Sequence, residues 1–251
     1  MFQDNTRIIV VSPVYNGENW VGKCVQSVQS QTFGNYVHVV VDDGSTDTTV
    51  LKVMQANQGD DRLRLVQVQE NKGTLHSHIL AVEHSGARPH DIIVHLDGDD
   101  WLIDDNCLQR IYDMYKNSGC LATYGNYKCS DGVTKSVCKP LDSPIGFREQ
   151  IRYGWCYSQI RTFYKCMWDA LSLLDFLDIR GKLYSSAADV VIFVPILEMA
   201  GKSRVEYIEQ ESMMYNLGTQ ISDAKVNLSD QVRCALDVAS RRVRSEIQFN
   251  R

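Results

Sequence analysis

The sequence predicts an α/β fold: a mixed, mostly parallel sheet flanked by helices, with a more helical C-terminal half. Short, uninterrupted runs of mainly β-branched residues recur at Arg7–Ser12, Tyr36–Val41 and Asp91–Leu96, as strands buried on both faces of a parallel sheet require. Segments with helical spacing separate them. Each run also ends in turn-forming residues, at Pro13–Gly17, Asp42–Asp47 and Asp97–Asp100.

The elements follow in order. After the first strand, closed by Pro13, the chain turns through Asn16-Gly17. From Glu18 onward Trp20, Val21, Cys24, Val25 and Val28 fall at i, i+1, i+4, i+5 and i+8, which predicts a helix of about four turns. With the second strand this makes a βαβ unit, whose crossover is right-handed almost without exception. A helix over Thr48–Ala56, a strand over Leu63–Val68, a helix over Thr74–His84 and the Asp91–Leu96 strand continue the alternation. A helix over Leu108–Lys116, a strand over Cys120–Tyr127 and a polar segment over Ser130–Ser143 come next. Beyond Phe147, helical periodicity covers Phe163–Phe176 and Val190–Met199, and Ser203–Ile208 reads as β. A last helix from Leu228 sets Val232, Leu236, Ala239, Val243 and Ile247 on one stripe, with Arg233, Arg241, Arg242 and Arg244 mostly off it. Such a helix caps the core, or, being basic and amphipathic, meets a membrane surface or a second copy of the chain.

Composition narrows the function. With 44% hydrophobic and 23% charged residues, disordered and low-complexity architectures are excluded. A net charge of −5 gives no drive toward phosphodiester backbones, so general nucleic-acid binding is disfavoured. The longest apolar run, Val190–Leu197, is interrupted by Pro195 and falls far short of the ~20 residues that cross a bilayer. With no secretory signal visible, a cytoplasmic location is expected, where the eight cysteines would be reduced and structural.

In open parallel sheets ligands bind beyond the carboxyl ends of the strands, so Pro13–Asn16, Asp42–Asp47 and Asp97–Asp100 should converge on one crevice. Asp97-Gly98-Asp99-Asp100 crowds carboxylates whose repulsion a cation would relieve. A few hard oxygen ligands suit Mg²⁺ or Mn²⁺ shared with substrate phosphates; the alternative is a solvated acidic turn. An EF-hand is excluded, because Trp101 and Leu102 occupy its fifth and sixth loop positions. Asp42-Asp43-Gly44-Ser45 is either an Asx-turn leading to a helix cap or a carboxylate facing base or ribose. No P-loop, G-x-G-x-x-G, G-x-S-x-G or H-E-x-x-H motif occurs. His76 and His78 are two apart on a helix, on different faces, which speaks against zinc.

Together, Ile9-Val10-Val11-Ser12-Pro13-Val14-Tyr15-Asn16, Gln31-Thr32, Val41-Asp42-Asp43-Gly44-Ser45-Thr46-Asp47, Asn71-Lys72-Gly73 and Leu96-Asp97-Gly98-Asp99-Asp100 resemble, in order and spacing, the motifs of family 2 glycosyltransferases. The resemblance is close over residues 7–127. It implies a GT-A fold, a nucleotide-diphosphate-sugar donor with a UDP-sugar first among them, Mn²⁺ or Mg²⁺, and inversion at the anomeric carbon. It implies a single domain over 1–251: a donor half at 1–127, an acceptor half at 128–227 and the terminal helix at 228–251. By position, Pro13, Tyr15 and Asn16 would flank the nucleotide, Asp43 more than Asp42 would contact the base, and Lys72 would lie on the donor side. Asp97 and Asp99, around Gly98, would be the D-x-D carboxylates, with Asp99 or Asp100 on the metal.

In the second half Asp189 takes the position of the catalytic base, behind Ala188 where such enzymes carry Glu; the alternative is that Asp189 caps the following helix. Arg161 would contact acceptor or phosphate. Ile160-Arg161-Thr162-Phe163, Pro195–Gly201 and Tyr215-Asn216 look like a subgroup acting in surface-glycan pathways, so the acceptor would be a glycan or glycoconjugate hydroxyl. No histidine follows His95, so the histidine that often completes the metal site has no counterpart. Two other readings stay open. A sugar nucleotidyltransferase would begin with a Gly-rich loop, which Pro13–Gly17 is not, and a nucleotide-sugar-binding module could keep the fold without turnover.

Overall fold

A single eight-stranded sheet runs through both halves of the chain, in the order β3-β2-β1-β4-β7-β6-β8-β5. The computed structural model describes residues 5–141, 144–219 and 223–248. The strands are β1 (Ile8–Val14), β2 (Tyr36–Asp42), β3 (Leu63–Gln67), β4 (Ile92–His95), β5 (Trp101–Leu102), β6 (Ala122–Cys129), β7 (Arg161–Tyr164) and β8 (Val205–Tyr215). The helices are α1 (Val21–Gln29), α2 (Thr49–Asn57), α3 (Thr74–His84), α4 (Cys107–Ser118), α5 (Phe147–Gln150), α6 (Lys165–Asp169), α7 (Ala188–Ala200), α8 (Asp223–Val226) and α9 (Leu228–Ser240). Ser143, at the end of the polar segment, and residues 249–251 lie outside the described residues.

β1, β2 and β4 are buried at every position, as their unbroken apolar runs require. β1 pairs in parallel with both β2 and β4, so these three strands deliver their carboxyl ends to one edge of the molecule. None of the eight cysteines is in a disulfide, and no described helix is long and apolar enough to cross a membrane.

Three elements depart from the sequence pattern, each for a tertiary reason. The first helix begins at Val21 rather than Glu18, because Glu18 is engaged by the β2–α2 loop: its carboxylate accepts from the Thr48 amide (3.0 Å) and hydroxyl (2.6 Å), and its own amide donates to Asp47 (3.2 Å). Phe163–Phe176 is not one helix. Arg161–Tyr164 is instead a strand inserted antiparallel between β4 and β6, with His95 opposite Arg161 and Ala122 opposite Phe163, and backbone pairing on both edges outweighs the local helical spacing.

The third departure is the terminal helix. α9 buries Cys234 and Val238, whereas Val232 and Leu236 of the expected stripe are 49% and 50% exposed. The helix also stops at Ser240, so Val243 and Ile247 lie on an extended strap whose Ile247 amide donates to the Met199 carbonyl (2.8 Å). Arg148 decides the buried face, since its guanidinium bonds both Glu198 of α7 and the Val238 carbonyl of α9.

β2 carries a titrating group within this core. His38 is fully buried and bonded to the Ser12 hydroxyl (2.9 Å), and burial lowers its pKa to about 3. The unfolded chain protonates near 6.5. The stability gained by keeping this ring neutral is therefore present above pH ~6.5 and is lost as pH falls toward the folded value, at up to ~1.4 kcal/mol per unit. Between pH 7.5 and 5.5, His38→Gln should lose about 1.4 kcal/mol less than wild type by urea unfolding. The difference between the two proteins cancels the carboxylates that titrate in the same window, and equal losses would show that His38 is not the responsible group.

Candidate functional site

The ends of β1, β2 and β4, the first turn of α3, the approach to β7, the start of α7 and the end of β8 enclose a crevice of about 900 Å³. Its walls include Pro13, Tyr15, Asn16, Asp43, Asp97, Asp99, Arg161 and Asp189. Residues read from distant parts of the sequence are thus brought together.

The β1 and β2 turns are tied to each other. Asn16 takes a left-handed conformation (φ 46°); its amide donates to the Ser45 hydroxyl and its side-chain oxygen accepts from the Thr46 amide, both at 2.8 Å. Asp43 accepts from the amides of Lys72 (3.0 Å) and Gly73 (2.8 Å), which seats the β3–α3 loop on the β2 end. Gly44 is required here: with φ at 73°, a Cβ would lie 2.6 Å from the Glu70 carbonyl carbon.

Four expected donor or metal residues stand outside the crevice lining. Asp42 is buried, with Ser45 as its hydrogen-bond partner, so Asp43 alone of the pair faces the crevice. Lys72 contributes its amide to Asp43, and its side chain is exposed to solvent. Gly98 lets the β4 end close on β1, since a Cβ would stand 2.7 Å from Val14 Cβ and 3.0 Å from the Pro13 carbonyl oxygen. Asp100 is buried behind the wall, where one oxygen accepts from the Asn216 amide (2.8 Å) and the other has no partner among the described residues.

The acidic cluster is electrostatically strained. Burial, then the neighbouring Asp97 charge, pushes the Asp99 pKa up to about 6. Burial, with Asp99 and Asp97 adding to it, holds Asp100 well above the usual carboxylate range. A divalent cation would relieve both effects and use the orphaned Asp100 oxygen, so the donor set fits a hard cation. Among the described residues, no group of three or more His, Cys, Asp or Glu side chains is arranged to hold a metal unaided. Substrate oxygens and water would have to complete its coordination.

Across the crevice, Asp189 lies within the first turn of α7 and does not cap it. The cap position belongs to Ala187, which has a left-handed backbone (φ 56°, ψ 36°) and makes no side-chain cap bond. The Asp189 carboxylate instead stands 3.6 Å from Nη1 of the buried Arg161.

Sequence reasoning missed His78 and Gln159. Gln159 Nε2 donates to Asp97 Oδ2 at 2.7 Å. His78 Nε2 lies 3.8 Å from Asp97 Oδ1, and its ring stacks on His95 with centroids 4.2 Å apart. Burial lowers His78 to about 4, against the opposing Asp97 charge, and holds His95 well below its ordinary value, so both rings are neutral at pH 7. The signal for His78 was available: Thr74, Ser77 and His78 line the crevice at i, i+3 and i+4 of one helix face. Gln159 had none, since its partner is distant in the chain.

Comparison with known proteins agrees with this geometry. The Escherichia coli UDP-Glc:α-D-GlcNAc-diphosphoundecaprenol β-1,3-glucosyltransferase WfgD is 31% identical over 125 residues, covering 50% of this chain and 47% of that protein. The match spans from 18% to 55% of the length of curated relatives. S. aureus TarS in complex with UDP-GlcNAc superposes with a TM-score of 0.64 at 18% identity, over 85% of this chain and 59% of that one. Glucosyl-3-phosphoglycerate synthase from Mycobacterium tuberculosis, in complex with Mn²⁺, UDP-glucose and phosphoglyceric acid, gives a TM-score of 0.60 at 16% identity, over 92% and 78%. Both are likenesses of fold, and they agree with the GT-A architecture of the mixed sheet. With the Glycosyl transferase family 2 model matching residues 9–167, most of the chain that builds the crevice is accounted for, and the chain belongs to glycosyl transferase family 2.

Proposed function

We propose that this chain is a metal-dependent, inverting glycosyltransferase that moves a sugar from a nucleotide-diphosphate donor to a hydroxyl of a glycan or glycoconjugate acceptor in surface polysaccharide synthesis. The observation that carries the reading is that the Asp97 and Asp99 carboxylates and the Asp189 carboxylate line one crevice. The first two suit a diphosphate with its cation, and the third offers itself to an attacking hydroxyl. The UDP-sugars bound by two structural neighbours favour a UDP-sugar, and WfgD, named for a lipid-linked acceptor, favours a membrane-derived glycoconjugate. Residues 1–127 would hold the donor and 128–227 the acceptor. The exposed Val232 and Leu236 of α9 would face a membrane surface or a second copy.

In the transfer, a bond forms between acceptor oxygen and anomeric carbon while the bond from that carbon to the diphosphate breaks. Pro13, Tyr15 and Asn16 bound the nucleotide end, with Asp43 directed to the base. Asp97 orients the diphosphate-sugar, and Asp99, with Asp100 behind it, would hold the cation. Mn²⁺ or Mg²⁺, when bound, supplies positive charge that stabilises the leaving diphosphate. Asp189 takes the hydroxyl proton, on the acceptor side with Arg161.

Incubation with UDP-, GDP- and TDP-sugars in Mn²⁺, Mg²⁺ or EDTA, with released nucleoside diphosphate as the signal, tests the class without a known acceptor. Metal-dependent release from one donor is expected. No release from any, with nucleotides still raising the melting temperature, would leave a binding module. Asp99→Ala should lose the Mn²⁺-dependent part of UDP binding in calorimetric titration while keeping the metal-free part. An unchanged Mn²⁺ dependence would remove Asp99 from the site.

A further inference from the structure

Gln159 and Arg161, at the entry to β7, each place a buried polar side chain on the crevice wall, 4% and 3% exposed respectively. Ile160 between them is fully buried and packs close to Gly125 of β6. The two polar side chains reach different carboxylates of the crevice. Gln159 Nε2 donates to Asp97 Oδ2 at 2.7 Å, and Arg161 Nη1 stands 3.6 Å from Asp189 Oδ2. Among the described residues no other side chain hydrogen-bonds to the Asp97 carboxylate, since His78 at 3.8 Å is beyond hydrogen-bond reach; the Cys24 thiol donates only to the Asp97 main-chain carbonyl.

The support beneath this pair is rigid. β7 is paired on both edges, with β4 and β6. Its Thr162 hydroxyl is locked between the Tyr115 hydroxyl (2.8 Å) and the Thr123 hydroxyl (2.6 Å), all buried. Arg161, the first residue of that strand, is held more firmly than a side chain on a loop would be, and Gln159 stands two residues ahead of it. The residue types also matter. An amide can donate to Asp97 without adding charge to a crowded acidic cluster, where a fourth carboxylate would repel. A buried guanidinium stands beside Asp189, and its Nε has no hydrogen-bond partner among the described residues.

We propose that Gln159-Ile160-Arg161 is a positioning bridge. Gln159 fixes the Asp97 carboxylate for the donor diphosphate, Arg161 fixes the Asp189 carboxylate for the attacking hydroxyl, and their origin on one short stretch of chain sets the span between donor and base. This rests on the roles given to Asp97 and Asp189 above. Neither bridge residue touches the reacting atoms; each acts through a carboxylate, and a misplacement of about 1 Å in such a group can cost ~10²-fold in rate.

The bridge predicts a split between kcat and KM, read as diphosphate release from UDP-glucose, or from whichever donor of the panel the wild type turns over, with water as acceptor. Gln159→Leu, which keeps the bulk and loses the donor, should raise the donor KM roughly tenfold or more with kcat nearly unchanged. Arg161→Ala should lower kcat roughly hundredfold with donor KM nearly unchanged, and added guanidinium should restore part of that loss. Arg161→Lys keeps the buried charge and should lose about tenfold in kcat, less than the alanine variant because only the fork geometry is missing; it is the variant to read if Arg161→Ala does not fold. Variants that fold with wild-type urea midpoints yet lose kcat and KM together, or that guanidinium does not rescue, would overturn the bridge and leave both residues as wall. A wild type that turns over no donor would overturn the transferase reading itself, and the bridge with it.

Discussion

Asp189→Asn should bind donor as the wild type does and transfer sugar roughly 10² to 10⁴ times more slowly. The substitution keeps the size and the first-turn position of the side chain, but an amide cannot accept the acceptor proton at neutral pH. The predicted loss is confined to turnover because Asp189 faces the crevice from α7, across from the strand ends read as the donor side. Arg161, 3.6 Å away, loses its charged partner in this variant, so a small effect on folding is expected and should be measured beside the kinetics. The decisive comparison is UDP affinity by calorimetry against diphosphate release on the same preparation. Equal loss of both would make Asp189 a structural residue that braces Arg161, and the base would have to be sought elsewhere on the crevice wall.

Arg148→Met should be the most destabilising single substitution outside the crevice, by about 3–5 kcal/mol. Arg148 and Glu198 are 7% and 3% exposed in their side chains. The guanidinium donates to both Glu198 oxygens (2.8 and 2.7 Å) and to the Val238 carbonyl (2.5 Å), while the same carboxylate accepts from the Arg244 amide (3.0 Å). One ion pair therefore joins α5, α7, α9 and the C-terminal strap. Methionine fills much of the volume but leaves a carboxylate buried without its cation, and this uncompensated charge, more than the lost attraction, sets the cost. At this chain length the melting temperature should fall by roughly 6–20 °C. The paired variant Arg148→Met with Glu198→Leu removes both charges and should recover most of the loss. If the double variant is as unstable as the single one, the contribution lies in the bonds to Val238 and Arg244, not in the ion pair.

The two predictions sit at opposite levels of legibility. Asp189 could be singled out from the chain alone, but as a base or as a helix cap. Local pattern does not separate these, because both place an aspartate just ahead of an apolar helix. The structure separates them through the backbone: Ala187 occupies the cap position, which leaves the Asp189 carboxylate free to meet Arg161. Arg148 carried no signal at all, since its partner is fifty positions away on a helix that is apolar apart from that glutamate and Asp189.

What the sequence determined by itself was the first half of the sheet. The buried strands β1, β2 and β4 follow from uninterrupted apolar runs, and the turns at Pro13–Gly17, Asp42–Asp47 and Asp97–Asp100 follow from proline, glycine and aspartate chemistry, which is local. Parallel pairing then sends those turns to one edge, so the crevice could be placed before any coordinate was known.

Tertiary structure alone decided three things: that Arg161–Tyr164 is a strand, that α9 buries Cys234 and Val238 and leaves Val232 and Leu236 exposed, and that Gln159 and His78 meet Asp97. Their common cause is physical. A short apolar segment with two permitted periodicities is assigned by whichever neighbour offers unpaired backbone or an uncovered face, and that neighbour is distant in the chain. Here it was the open edges of β4 and β6 for β7, and the Arg148–Glu198 pair on α7 for α9.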